Sequence, residues 1–285
     1  MSQERTGDLD QYRTDSQRTW SRIATTWDRE RGFHSSATRL VDDRLVERLD
    51  PQPGDTVLEL AGGTGETTPA LAERLDEGGR LISTDFAAPM VAVARAQSER
   101  LGLSDVEHRV LDAQRMDLAD SSVDRVACRF GYMLMADPAA ALAETRRVLR
   151  DSGRLAFAVW ATPDRNPWAA IPGQTMVELG YAGRPEPGAP GPFVMADPER
   201  IRQLVGGAGF TDPEVEEVPV HWGYADADDH WQRTITLSPS ISERLAALSE
   251  AERERVRELV KERVEARLSE GPDGMDGVAL VVTAE

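Results

Sequence analysis

The sequence predicts an α/β protein: a doubly wound, mostly parallel, seven-stranded sheet with an N-terminal helical cap and a C-terminal helical insertion. Three observations carry this expectation. Between residues 55 and 160, short apolar runs bounded by turn residues alternate with amphipathic helical stretches, the pattern of βαβ units. One run, Val57-Leu58-Glu59-Leu60, breaks directly into Ala61-Gly62-Gly63-Thr64-Gly65 and then into a helical stretch. Acidic residues stand at, or just inside, the ends of the first three runs: Glu59, Asp85 and Asp112.

In chain order, residues 1–15 are polar and read as loosely attached. Ser16 to Leu49 reads as helical, with Trp20, Ile23, Ala24 and Trp27 on one face and a second helix over Thr38–Leu49. Pro51-Gln52-Pro53-Gly54-Asp55 turns the chain into the first strand. The following units are a helix over Glu66–Asp76, a strand over Arg80–Thr84, a helix over Ala88–Leu101 stopped by Gly102, and a strand over Val106–Leu111. A strand over Val123–Arg129, a helix over Pro138–Leu149 and a strand over Arg154–Trp160 complete the series. Beyond Ala161 the pattern loosens. Asp197-Pro198 is a helix start, Val215–Val220 a sixth strand, Asp228–Thr236 a helix, and Ser249-Glu250-Ala251-Glu252 a capping box. Val278–Thr283 is the last strand. Three segments result: a helical cap (1–50), a ligand-binding core (51–162) and a substrate-side segment with the last two strands (163–285).

Composition narrows the function classes. The 285 residues carry 40% hydrophobic and 29% charged residues, and no apolar run approaches the roughly 20 residues of a membrane span. We expect a cytoplasmic protein. A formal net charge of −17 argues against nucleic acid or an anionic membrane as partner. The single cysteine, Cys128, sits in an apolar strand and reads as a buried thiol; there is no Cys/His cluster with metal-ligand spacing, so no metal is expected. The charged helix around residues 250–268 is a solvated face or a homodimer contact.

The glycine-rich turn between strand and helix makes a cradle: small residues admit a ligand to the backbone, and the first helical N–H groups are free to bond it. Asp85 follows Gly65 by twenty residues, a spacing suited to a ribose diol, and Asp112 is placed to accept from a purine amine. Glu59 orients the loop or holds a cationic amine through water. A dinucleotide fingerprint, G-x-G-x-x-G, is incomplete, because Thr68 stands at the third glycine position.

Glu59-Leu60-Ala61-Gly62-Gly63-Thr64-Gly65, Thr84-Asp85-Phe86 with Met90, and Asp112-Ala113 together resemble the successive cofactor motifs of class I S-adenosylmethionine-dependent methyltransferases. The segments Asp124–Tyr132 and Arg147–Leu155 resemble that family's fourth and fifth strand regions. In style the chain is similar to the ubiquinone/menaquinone-biosynthesis-like enzymes and the related secondary-metabolite methyltransferases. The resemblance implies a Rossmann-like methyltransferase fold with S-adenosyl-L-methionine as cofactor. It places the loop of Ala61, Gly62, Gly63 and Gly65 against the methionine end, Asp85 on the ribose, Phe86 and Met90 beside the adenine, and Asp112 with the Ala113 N–H at its edge. Arg129 and Phe130 then face the sulfonium, and Trp27 closes over the cofactor. Ala61 departs from the family pattern, which usually has glycine there.

By the same resemblance the reaction is methyl transfer by in-line displacement, with the protein supplying alignment and dryness. His34 and His230 are the candidate bases. The acceptor pocket is expected between the cap and residues 160–235, lined from Trp20, Phe33, Tyr132, Met133, Trp160, Trp168, Phe193, Trp222 and Trp231, which suits a small aromatic or apolar molecule. Oxygen or carbon is the favoured acceptor atom. Two alternatives stand beside this: a non-catalytic or non-methylating protein of the same fold, and an NAD-dependent oxidoreductase.

Overall fold

The computed structural model describes residues 3–75, 78–271 and 273–285, and only the backbone within residues 3–7. Seven strands form one sheet: β1 (Thr56–Leu60), β2 (Arg80–Asp85), β3 (Val106–Val110), β4 (Val123–Arg129), β5 (Leu149–Trp160), β6 (Glu214–Trp222) and β7 (Met275–Ala284). Their order is β3-β2-β1-β4-β5-β7-β6. The first five pair in parallel; β7 runs antiparallel between β5 and β6. The chain leaves β1 in one direction for β2 and β3 and returns past it for β4 and β5. The crevice beyond the carboxyl ends of β1 and β4 is therefore the switch point where ligands bind in doubly wound sheets.

Ten helices are described: α1 (Gln3–Arg29), α2 (Arg31–Leu49), α3 (Thr68–Ala72), α4 (Ala88–Leu101), α5 (Pro138–Val148), α6 (Pro167–Glu178), α7 (Pro198–Gly207), α8 (Ala227–Leu237), α9 (Pro239–Ala246) and α10 (Glu250–Leu268). Their starts follow local chemistry. Asp137 and Asp197 cap α5 and α7 with Pro next in line, and Ser249 with Glu252 forms the capping box of α10. The core lies on both faces of the sheet. Val57, Leu58, Leu60, Val126 and Leu155–Val159 are fully buried, each side chain contributing about 1.5–3 kcal/mol. α2 lays Val41, Leu45, Val46 and Leu49 across β4, β5, β6 and β7.

Four boundaries differ from expectation, each for a local reason. Residues 3–15 are helical, because Arg13 pairs with Asp10 and Asp112, and Gln11 with Asp15, so the polar stretch is held by contacts its sequence does not announce. α2 begins at Arg31, not Thr38. α3 is one short helix that starts beside Pro69, because Glu66 folds back onto Thr64 instead of entering the helix; its expected end at Asp76 lies outside the described residues. The expected turn at Asp151–Gly153 is a bulge inside β5, where the pairing shifts between Val123 and Arg125.

α1 does not join the main core. Its Trp20, Ile23, Ala24 and Trp27 pack on Phe86, Ala87, Met90 and Val93 of the β2–α4 corner in a separate small cluster. The helix thus lies over the mouth of the switch point.

Candidate active site

β1 ends by passing into a left-handed turn. Ala61, Gly63 and Gly65 have φ of 51°, 57° and 85°. The Gly62 N–H donates to the Thr84 carbonyl at 2.8 Å and the Gly65 N–H to the Gly62 carbonyl at 2.9 Å, so the loop is tied to β2 as well as to itself. A Cβ on Gly62 would stand 2.9 Å from Ser83 Oγ and 3.2 Å from the Glu59 carboxylate, so the loop sits directly on that acid. Glu59 is buried beneath it and accepts from Thr68 Oγ1 at 2.6 Å. The hydroxyl at the position where a dinucleotide fold wants its third glycine is thus the support of the loop acid.

Asp85, at the end of β2, spans the loop and the next helix. Its Oδ2 accepts from the Gly63 N–H at 3.1 Å and its Oδ1 from the Ala87 N–H at 2.9 Å. Burial pushes Asp85 up to about 6 and Glu59 up to about 7. Asp112, just past β3, accepts from the Gln114 N–H at 2.9 Å and lies 3.5 Å from Arg13 of α1. Ala113 beside it is buried. Phe86 and Met90 lie under Trp20 and Trp27, whose rings meet edge-on at 5.3 Å. Trp20 is therefore at the β2–α4 side of the crevice, away from the acceptor wall expected for it.

A fourth acid was missed in the sequence. Glu66 directly follows the loop, and its side chain is 2% exposed; it accepts from Thr64 Oγ1 at 2.5 Å. A Cβ on Gly63 would stand 3.7 Å from Glu66 Oε2. An acid next to the last glycine was the available signal, absorbed by reading it as a helix start. Arg129 departs from its expected role. Its guanidinium turns to α2 and Glu66, donating to Thr38 Oγ1 at 2.9 Å and lying 3.3 Å from Asp42 and 3.5 Å from Glu66. A half-buried cation goes where acceptors converge, and they converge on α2.

Phe130, at φ 57°, carries the β4 end across to β5 and stacks on Trp160 at 3.9 Å. From there aromatic rings continue: Trp160 meets Trp168 at 5.0 Å, Trp168 meets Trp222 at 4.3 Å, and Trp222 meets Phe33 at 5.2 Å. Tyr224 joins Phe33 at 5.4 Å, a contact the sequence did not suggest. The structure therefore brings Phe33, Trp160, Trp168 and Trp222 into one wall, with Trp27 stacked on His34 at its edge. It does not bring Tyr132, Met133 or Trp231 there. Tyr132 is wholly buried against Phe157 with its hydroxyl 2.7 Å from Thr145 Oγ1, and Met133 and Trp231 are core. Phe193 packs on the core near α7.

The two histidines are not poised as bases. Burial, aided by the charges of Arg129 and Arg233, pushes His34 down to about 3. His230 is fully buried, and its Nε2 donates to the Trp168 carbonyl at 2.8 Å, pinning α8 to the start of α6; burial lowers its pKa too. Cys128 is a buried thiol pushed up to about 12, a core residue.

Sheet order, left-handed glycine loop and strand-end acids define a class I methyltransferase domain. The comparisons agree: residues 58–157 match the family model described as "Methyltransferase domain". Over 117 residues, 41% of this chain and 46% of the relative, it is 38% identical to a ubiquinone/menaquinone biosynthesis C-methyltransferase UbiE of Acidiphilium cryptum. Over 161 residues, 56% of this chain and 63% of the relative, it is 37% identical to a demethylmenaquinone methyltransferase of Corynebacterium urealyticum. The chain spans about half the length of the curated relatives it matches. Among solved structures, the YcgJ protein of Bacillus subtilis is similar with a TM-score of 0.56 at 15% identity, covering 85% of this chain and 96% of that one. An S-adenosylmethionine-dependent methyltransferase from Aquifex aeolicus has a TM-score of 0.50 at 23% identity, covering 64% and 87%. Both share the fold. No helix among the described residues is long and apolar enough to cross a membrane.

Proposed function

We propose that this protein transfers a methyl group from S-adenosylmethionine to a small, flat or apolar acceptor, at carbon ahead of oxygen. The observation that carries the reading is the placement of Glu59, Asp85 and Asp112 at or just past the carboxyl ends of three adjacent strands, with Glu59 and Asp85 against one left-handed loop. The cradle fits the cofactor. Gly62 leaves no room for a side chain, Asp85 stands at the corner where ribose hydroxyls would lie, and the excess of buried carboxylate beside the loop suits a ligand with cationic groups.

The sulfonium, when bound, supplies an electrophilic methyl carbon and a neutral thioether as leaving group. The chain's own residues align and exclude water. α1 covers the crevice through Trp20 and Trp27, and the wall from Phe130 to Trp222 presents flat apolar faces to an acceptor. His34, pushed down to about 3 by burial, is a weak base, and His230 is fully buried and bonded to the Trp168 carbonyl, which supports an acceptor already nucleophilic at the reacting atom, such as an electron-rich ring carbon. The names of the similar proteins, C-methyltransferases of quinone biosynthesis, lean the same way.

The test is calorimetry followed by turnover. S-adenosylmethionine should bind and NADH should not, and Asp85→Asn should weaken binding at least tenfold, about 1.4 kcal/mol. Incubation with methyl-labelled cofactor and a panel of phenols, hydroquinones and amines should label an aromatic product. A protein that binds no S-adenosylmethionine overturns the reading.

A further inference from the structure

His34 of α2 and Trp222 at the end of β6 meet at the aromatic wall, their rings 5.8 Å apart and nearly perpendicular. Both are buried, at 8% and 2% exposure. His34 Nε2 and Trp222 Nε1 have no hydrogen-bond partner in the protein. Buried polar atoms are almost always paired, so two orphans on rings in contact require an explanation.

No neighbouring side chain reaches either nitrogen. Trp168 Nε1 donates to Asn166 Oδ1 at 3.1 Å, and His230 Nε2 to the Trp168 carbonyl. Arg129 serves Thr38, and Arg233 serves Glu30 and Asp229. What surrounds the pair is otherwise aromatic: Phe33, Trp168 and Trp27.

We propose that His34 and Trp222 are the polar recognition pair of the acceptor pocket, and that together they hold one hydroxyl group of an aromatic acceptor, a phenol or a hydroxylated fused ring. The inference rests on the methyltransferase reading of the site. The indole N–H only donates, so its partner must offer a lone pair. The neutral imidazole presents either a lone pair or an N–H at Nε2. A hydroxyl oxygen accepts from Trp222 and either donates to His34 or accepts from it, so it answers both tautomers. A carbonyl oxygen answers only one. An ammonium answers neither the indole nor the protonated Nε2. A carboxylate would bring a full charge into an aromatic wall. The flat faces around the pair then fix the ring to which the hydroxyl belongs.

The test uses 1-naphthol, naphthalene and 1,4-naphthoquinone as probes, with binding followed by quenching of the pocket tryptophans in protein saturated with S-adenosylhomocysteine. Wild type is expected to bind 1-naphthol at least tenfold more tightly than either naphthalene or the quinone. In His34→Phe and in Trp222→Phe, which keep a ring in place, the preference over naphthalene should fall to threefold or less. S-adenosylhomocysteine affinity, measured first on each preparation, should stay within twofold and serves as the control for folding. The proposal is overturned if wild type does not bind 1-naphthol, binds it no better than naphthalene or the quinone, or keeps its preference in both variants. Failure to bind S-adenosylhomocysteine would instead overturn the methyltransferase reading, and the naphthol preference would still be scored on the cofactor-free protein.

Discussion

Ala61 and Gly131 form a pair made by two loops. Ala61 holds φ 51°, a region that costs an L residue about 1–2 kcal/mol. A Cβ added to Gly131 would stand 2.6 Å from the Ala61 Cβ and 2.7 Å from Cys128 Sγ. The methyl group where the family pattern has glycine is accommodated because the facing residue has none. Ala61→Gly should therefore raise stability by up to about 1 kcal/mol in urea melts, the relief of strain outweighing the added freedom of the unfolded chain. Gly131→Ala should lower it by about 1–3 kcal/mol, and the double variant should recover part of that loss. Strictly additive energies would mean the two loops do not meet. Strand-end acids were legible in the sequence because a strand has one carboxyl end and Glu59, Asp85 and Asp112 stand at three of them. Glu66 and Arg129 were not: Glu66 meets Arg129 only across the crevice, and Arg129 finds its other partners, Asp42 and Thr38, on a helix that only the packed structure brings to the loop.

Among the elements, α1 is the one that stands apart from the main core. It holds to the body by the small cluster around Met90 and by polar contacts that include Tyr12 to the Leu134 carbonyl at 3.3 Å, Gln17 to the Phe86 carbonyl at 2.7 Å, Arg22 to Glu243 of α9 at 2.6 Å, and Arg13 to Asp112 at 3.5 Å. The last is a partly exposed ion pair of about 0–1 kcal/mol. Arg13→Ala should thus raise amide exchange within residues 8–29 several-fold while changing the melting temperature by less than about 2 °C. Equal protection in the variant would show the apolar cluster alone fixes the helix. Trp27→Ala removes part of that cluster, and should weaken S-adenosylmethionine binding several-fold in calorimetry; unchanged affinity would take α1 out of the cofactor site. The α/β alternation, the α4 limits and the β4 limits were legible because each rests on local signals: apolar period, Gly102 as left-handed stop, Pro near a helix start. The start of α1 was not, since its first turns carry no apolar stripe in sequence, and Tyr12 and Arg13 meet their partners only across the crevice.

At the scale of the whole molecule, the site's charge sets a pH response. Glu59 and Asp85 have folded pKa values raised to about 7 and about 6 by burial, above their ordinary carboxylate values. Folding therefore takes up protons. This contribution to stability is fully present below about pH 4 and is lost as pH rises through 6 to 7. A bound cationic cofactor favours the ionised acids, so its stabilising effect should grow over the same window. Scanning calorimetry at pH 5 and pH 8 should show the melting-temperature gain from S-adenosylmethionine larger at pH 8, and Glu59→Gln should reduce the difference. A variant with the wild-type pH dependence would remove Glu59 as its source. Sheet order has a consequence of another kind. β6 touches the rest of the sheet only through β7, and β7 is made after the other six strands of the sheet. While residues 214–222 wait, the edge of β5 lies bare and β6 has only α2, and no strand, to dock on. Vectorial synthesis thus delivers a nearly finished cofactor crevice long before the far side of the sheet can close, and a chaperone that shields exposed strand edges would act in that interval.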